Sequence, residues 1–328
     1  MSKKIKVAVI GLGNMGKHHA RNYFEISEAE LVAVCDVQES VAQQYAEQFA
    51  CKAYTSIETM LQEEDMDALS ITAPTVFHYD IAKICLQYNV SLLIEKPICE
   101  SVEKAEEIIS IAKQKNLTLM VGHIERFNPA VQKLKELIDA GELGKVTSLI
   151  SRRVGVFPAQ IKDTNVIIDL AVHDIDIMSS LLEKQPDAIY GNAGRALING
   201  REDYADILLT YGDQSALMQV NWITPLRIRH LAVTGTKGYA ELNYMTQELK
   251  VYESVISKEP DNFGDFTIKF GAPIEHVIDV EKKEPLKSEL SHFINCVLEK
   301  KTPLISGEVG LQALDTALKV MDVMNIKK

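Results

Sequence analysis

The stretch IKVAVIGLGNMG, residues 5–16, decides how the first third of this 328-residue chain reads. An apolar, β-branched-rich run ends in Gly11, Gly13 and Gly16, and a helical pattern follows from Met15 to about Glu25. A G-x-G-x-x-G motif is a weak signal alone. Between a strand and a helix it has a specific use. The glycines permit a tight turn and let backbone approach a pyrophosphate, while the helix N-terminus offers N–H groups and the positive end of its dipole. Asn14 and Met15 complete that loop. Asp36 ends the next apolar run, ELVAVCD, where a carboxylate can bind the hydroxyls of an adenosine ribose. The same carboxylate repels a 2′-phosphate, and Val37 and Gln38 supply no arginine to receive one. NAD is therefore expected rather than NADP.

Outward from this motif, strand and helix alternate. ALSITAP (68–74), VSLLIEKP (90–97) and LTLMVGH (117–123) are further apolar strands, and the segments between them have apolar positions at helical spacing. Strands buried on both faces, with helices between, predict a doubly wound parallel sheet. After His123 the rhythm changes. NPAVQKLKELIDAG is a helix stopped by Gly141, and then ADILLTYG, SALMQVNWIT and IRHLAVTGT follow as successive strands. Two helices near 286–298 and 308–324 finish the chain. The expected fold class is α/β, a Rossmann sheet over residues 1–123 and an α/β domain with a large, open, mostly antiparallel sheet over 124–328.

Composition narrows the function. The net charge of −11 argues against a nucleic-acid-binding surface. Five cysteines form no C-x-x-C pair, so neither a zinc ribbon nor a disulfide framework is expected. No apolar run approaches the roughly 20 residues of a membrane span. The opening apolar run is too short for a secretion signal, which leads us to expect a cytoplasmic protein without membrane partners.

Two constellations carry chemistry. Lys96 stands at the carboxyl end of a buried strand, the edge where doubly wound sheets bind ligands. An ammonium group there can stabilise an alkoxide, though residue types alone allow equally a surface ion pair. Further on, NVIIDLAVHDIDIMSSLL (165–182) is strongly apolar yet holds Asp169, His173, Asp174 and Asp176. Asp169 and His173 are i and i+4, so a helix puts both on one face. A histidine beside a carboxylate can accept a hydroxyl proton near neutral pH. His173 and Asp176 also have a spacing that metal ligands use, but no further cysteine or histidine cluster supports a metal.

The glycine fingerprint, TAPTVFH (72–78), EKP (95–97) and D-x-x-x-H (169–173) occur in the order found in the glucose–fructose oxidoreductase/inositol dehydrogenase/rhizopine-catabolism (Gfo/Idh/MocA) family, which the chain resembles along essentially its whole length. The resemblance implies that Thr72, Ala73, Pro74, His78, Glu95 and Lys96 join the glycines around NAD. It also implies that hydride passes from a sugar or cyclitol carbon to the nicotinamide. His173 then takes the hydroxyl proton, Asp169 orients the hydroxyl or the histidine, and Lys96 stabilises the oxyanion. The open sheet of such proteins makes dimers or tetramers. GHIERFNP (122–129) is similar to the corresponding stretch of members that oxidise the 3-hydroxyl of UDP-N-acetylglucosamine. On that reading Arg126, Asn128 and Arg153 are candidate substrate ligands, since arginine suits a diphosphate. Arg152 and Arg153 alternate along a strand, so at most one reaches the site. The alternatives are a myo-inositol or other free polyol or sugar dehydrogenase, an NAD-dependent glycosidase, and, in a different class, a non-catalytic NAD-binding sensor.

Overall fold

The computed structural model describes residues 4–157, 164–260 and 266–326. They form two compact units, residues 1–127 with 284–316, and 128–283 with 317–328. The expected boundary at 123 falls close to the first crossing, whereas the stretch 284–316, expected in the second domain, belongs to the first unit.

In the first unit the chain alternates as β1 (Ile5–Ile10), α1 (Gly16–Glu25), β2 (Ala29–Cys35), α2 (Glu39–Phe49), β3 (Lys52–Tyr54), α3 (Ile57–Glu63), β4 (Ala68–Ile71), α4 (His78–Gln87), β5 (Ser91–Glu95), α5 (Val102–Gln114) and β6 (Leu119–Gly122). The sheet order is β3-β2-β1-β4-β5-β6, and every pair is parallel. All four residues of β4 and all five of β5 are buried, because both faces of a parallel sheet are covered. The strand order reverses at β1, the topological switch point where such sheets bind dinucleotides.

The return of 284–316 to this unit has a physical cause. β6 ends the sheet and would expose unpaired backbone. Ile305 instead accepts a hydrogen bond from the Val121 amide, and Met120 forms an antiparallel bridge with Ser306.

The second unit begins with α6 (Pro129–Asp139), followed by β7 (Val146–Val156), a π turn (Ile167–Ala171), α7 (Val172–Leu182), β8 (Ala188–Gly194), β9 (Tyr204–Tyr211), β10 (Gln214–Asn221), β11 (Ile223–Gly235), β12 (Gly238–Asn243), β13 (Glu248–Glu253), β14 (Ile256–Pro260), β15 (Phe266–Phe270) and β16 (Ile274–Ile278). The closing helices are α8 (Pro285–Glu299), in the first unit, and α9 (Gly307–Val323), which supplies residues to both. The eight-stranded sheet runs β16-β13-β12-β11-β7-β10-β9-β8, antiparallel except for the β7–β10 pair, while β14 and β15 form a separate ribbon. Burial alternates along β9, the sign of a sheet with one covered and one open face. No helix among the described residues is long and apolar enough to cross a membrane.

Asp203, just before β9, is buried and accepts backbone N–H bonds from Ala196, Leu197 and Ile198 at 2.8, 2.6 and 2.8 Å. Burial alone raises its pKa, but these bonds to the charged form outweigh it and hold the carboxyl below its ordinary value. A carboxylate depressed on folding stabilises the protein above its unfolded pKa of about 3.9, and that stability is lost as pH falls through the lower folded value. Asp203→Asn is expected to cost about 2 kcal/mol at pH 7, in the range of hydrogen bonds to a charged group. Urea titrations between pH 3 and 7 should converge for the two proteins at the acid end; parallel curves would refute this account.

Candidate active site

Because β1, β2, β4, β5 and β6 run the same way, the loops leaving their carboxyl ends share one edge. The first is the glycine loop. Gly11 has φ +85°, and a Cβ there would lie 2.8 Å from the Ala73 amide nitrogen. A Cβ on Gly16 would overlap the Gly11 carbonyl oxygen. Those two glycines close the turn, whereas Gly13 has nothing within 4 Å of its would-be Cβ. The backbone at Gly13 and Asn14 is therefore open to an incoming group at the N-terminus of α1, as a pyrophosphate cradle requires. Met15 starts the helix, its carbonyl accepting from the amides of His18 and His19. Thr72 steadies the loop from the next strand, its hydroxyl donating to Gly11 O at 2.5 Å.

Asp36 lies at the end of β2. Its Oδ2 accepts the Leu12 amide at 2.7 Å and its Oδ1 the Gln38 amide at 2.9 Å. A carboxylate has about four lone-pair sites, so acceptor capacity remains for ribose hydroxyls. These residues fit a dinucleotide.

Two further residues expected around the cofactor have partners within the protein. His78 is buried, with Nδ1 at 3.0 Å from the Pro97 carbonyl and Nε2 at 2.8 Å from the Ala73 carbonyl. Burial lowers its pKa and the two carbonyls restore only part of the drop. It ties the loop after β4 to the loop after β5. Glu95 is buried as well, 3.1 Å from Nε2 of His19, whose Nδ1 lies 3.1 Å from Ser70 Oγ. Burial raises the Glu95 pKa, but the His19 hydrogen bond and the nearby Lys96 charge outweigh it and hold it down. Both residues obey one constraint: a buried polar group must find a protein partner. Lys96 itself is half-buried at the mouth of β5, and the Lys96–Pro97 bond is cis. Arg126, also half-buried, lies on a 3-10 turn, Ile124–Phe127, after β6.

In the second unit, Asp169 and His173 are both half-buried. They do not share one α-helix as expected: Asp169 lies in the π turn, and His173 in the first turn of α7. Such turns recur at functional sites. Asn165 caps the segment, accepting the Ile167 and Ile168 amides at 3.1 Å each. The Trp222 indole donates to Asp169 Oδ2 at 3.3 Å. No group of three or more potential metal ligands occurs among the described residues.

Two expected substrate ligands are engaged inside this unit. Asn128 is buried; its Oδ1 accepts the Ala130 amide at 3.1 Å, capping α6, and its Nδ2 donates to Tyr244 O at 3.0 Å. Arg153 is buried and gives Nε and Nη2 to the two oxygens of Asp174 at 3.0 and 3.1 Å. Arg152 points to the opposite, exposed face, where its Nε donates to Gln219. A buried arginine needs a carboxylate, and Asp174 supplies it. Helical spacing pairs Asp169 with His173, whereas Asp174, the next residue along α7, faces Arg153 on β7.

Replacing Asn128 by alanine is expected to cost about 1–3 kcal/mol through the lost cap and the orphaned Tyr244 carbonyl. Substrate KM should stay within about twofold of the wild type, the signature of a residue outside the binding machinery. Denaturant titration with steady-state kinetics separates the two effects; a large KM change at full stability would restore Asn128 as a ligand.

Two family descriptions match the chain: oxidoreductase family, NAD-binding Rossmann fold (GFO/IDH/MocA), over residues 5–123, and GFO/IDH/MocA C-terminal domain, over residues 131–241. The sequence is 28% identical to UDP-N-acetylglucosamine 3-dehydrogenase of Acidithiobacillus ferrooxidans, with 96% of each chain covered. A solved structure of that enzyme superposes with a TM-score of 0.85 at 27% identity, covering 98% of this chain and 97% of the other. Scyllo-inositol 2-dehydrogenase (NAD(+)) of Bacillus subtilis is 29% identical, over 100% of this chain and 98% of its own. The fold is also that of Lactobacillus casei scyllo-inositol dehydrogenase, solved with NAD(H) and scyllo-inositol, with a TM-score of 0.81 at 22% identity and coverage of 98% and 97%.

Proposed function

This chain belongs to the Gfo/Idh/MocA family of NAD-binding oxidoreductases, and from that premise we propose that it oxidises the 3-hydroxyl of UDP-N-acetylglucosamine to a 3-keto sugar nucleotide. The observation that carries the substrate is the similarity to the A. ferrooxidans enzyme over nearly the full length of both chains. The similarity to scyllo-inositol 2-dehydrogenase is equally long and supports a second reading, oxidation of a free cyclitol by the same groups.

The first unit holds the cofactor in this proposal, and the second holds the sugar. A bound NAD would supply the acceptor for the hydride that leaves the carbinol carbon. The glycine loop grips the pyrophosphate, and Asp36 binds the adenosine ribose, excluding a 2′-phosphate by charge. Arg126 assists in holding the sugar. Lys96 donates a hydrogen bond to the reacting oxygen and stabilises the negative charge that grows there. His173 removes the hydroxyl proton, and Asp169, steadied by Trp222, orients the hydroxyl or the imidazole.

The test is to incubate the protein with NAD and either UDP-N-acetylglucosamine, free N-acetylglucosamine or scyllo-inositol. Products are followed by mass spectrometry alongside NADH absorbance. A 3-keto nucleotide sugar is expected, with kcat about 10²–10³-fold lower in Lys96→Ala, as when an oxyanion donor is lost. Turnover of the cyclitol alone would transfer the assignment to the second reading.

We also propose self-association through the open face of the eight-stranded sheet. Tyr190, Leu208, Leu217, Ile150 and Ala232 are successive cross-strand partners on that face. Tyr190, Leu217 and Ile150 are 58%, 44% and 45% exposed, a continuous apolar band that water solvates poorly. Light scattering should report a dimer or tetramer that the double variant Ile150→Lys/Leu217→Lys dissociates; an unchanged mass in the variant would remove this face as the interface.

A further inference from the structure

The pairing of β11 with β7 shifts register at two places, between Ile223 and Ile228 and between Thr234 and Gly235, and the first is the longer interruption. Ile223 lies opposite Val156, and Ile228 opposite Val154, so residues 224–227 stand against Gly155 alone. The irregular strand passes close to Gly155: a Cβ there would lie in ordinary contact, 3.7 Å from Arg227 Cα and 3.8 Å from Arg229 Nη1. Irregularities of this kind re-aim side chains, often beside active sites. Two arginines lie here, Arg227 within the shift and Arg229 just beyond it.

Beyond the break, Arg229 lies directly opposite Arg153, and so on the same face of the sheet. The two guanidinium groups fare differently. Arg153 is matched by Asp174 in a two-point ion pair and rests over the Tyr244 ring at 4.9 Å. Arg229 is half-buried, and its Nη1 donates to two backbone carbonyls, Val154 O at 2.6 Å and Ile228 O at 2.8 Å. Among the described residues its Nε and Nη2 bond no carboxylate. Arg227 is exposed beside it. Three arginines therefore lie close together on β7 and β11, and among the described residues only Arg153 has a bonded carboxylate. In a chain of net charge −11 this local excess of positive charge runs against the general trend.

We propose that Arg227 and Arg229 form an anion subsite, on the side of the sheet that carries Arg153, that takes a phosphate of a phosphorylated sugar. Arg229 is the fixed member, its orientation set by the two carbonyls, with Nε and Nη2 left to donate to phosphate oxygens. Arg227 is the exposed member at the rim. The electrostatics agree: burial, then the charges of Arg153 and Arg227, pull the Arg229 pKa down to about 10, while Asp174 and Asp169 act in the opposite sense. The role expected of Arg153 passes to its cross-strand neighbour, because Asp174 has already claimed Arg153.

The inference deepens the nucleotide-sugar reading and rests on it for the identity of the sugar, but its test is separable. The full-length protein is titrated calorimetrically with UDP and with inorganic pyrophosphate, and KM is measured with UDP-N-acetylglucosamine. Variants are Arg229→Gln, Arg229→Lys, Arg227→Gln and, on the opposite face, Arg152→Gln. Arg229→Gln and Arg227→Gln are each expected to weaken UDP and pyrophosphate binding about tenfold and to raise KM by a similar factor, the effect of losing one charged contact. Arg229→Lys should recover part of the loss, and Arg152→Gln should behave as wild type. If Arg229→Gln fails to fold, the exposed Arg227→Gln carries the test. Affinities and KM within twofold of wild type in the Arg227 and Arg229 variants would overturn the subsite while leaving the nucleotide-sugar reading intact. Phosphate binding that depends on both arginines, in a protein that does not oxidise the nucleotide sugar, would support the subsite and overturn the reading. A wild-type protein that binds neither UDP nor pyrophosphate would overturn the subsite.

Discussion

The common direction of six strands constrains everything on the cofactor side of this molecule. Hydrogen bonding in parallel places every carboxyl end on one edge, so residues far apart in sequence leave the sheet together. The glycine loop, Asp36, Thr72, Lys96 and His123 all follow strand ends of that edge. The register is tight: there is no room for a side chain where Gly16 meets the Gly11 carbonyl, nor where Gly11 meets the Ala73 amide. With side chains excluded there, backbone N–H groups at the start of α1 are what a bound anion meets.

Buried polar groups fix the loops around this edge and around Asp169. His19 holds Glu95, His78 joins the loops after β4 and β5, and Asp174 holds Arg153. Pairs of this kind are poor sources of net stability, because desolvation offsets much of their attraction. Their value lies in geometry. A buried carboxylate with one histidine partner admits few alternative arrangements, so the segment carrying Lys96 leaves its strand in a defined direction. Removing one member would strand the other without solvent, which is more costly than the pair is stabilising.

Much of the fold was legible because it depends on short-range patterns. The β-branched run ending in Gly11, the carboxylate after β2 and the buried strand before Lys96 announce a Rossmann sheet, and the switch to alternating strands after His123 announces an open one. The family resemblance rested on such local strings. The roles of individual polar residues were less legible. Asn128, Glu95, His78 and Arg153 stand in or beside motifs that suggest ligand contact, yet each has a partner inside its own unit. The return of residues 284–316 to the first unit was equally hidden, since it depends on the free edge of β6 meeting Ile305.

By itself, the sequence determined the class of the sheet, the position of the glycine turn and the residue types available for proton transfer and charge stabilisation. Those follow from periodicity, backbone freedom and side-chain chemistry, which are properties of a residue and its near neighbours. Only the tertiary structure decided which charges are spent internally and which remain for a ligand. Arg153 and Arg229 are 76 positions apart (229 − 153) and chemically identical. Strand pairing set them side by side, and the placement of Asp174 against one of them separated their roles. Charge pairing acts through space at hydrogen-bond range, and linear order does not record that distance.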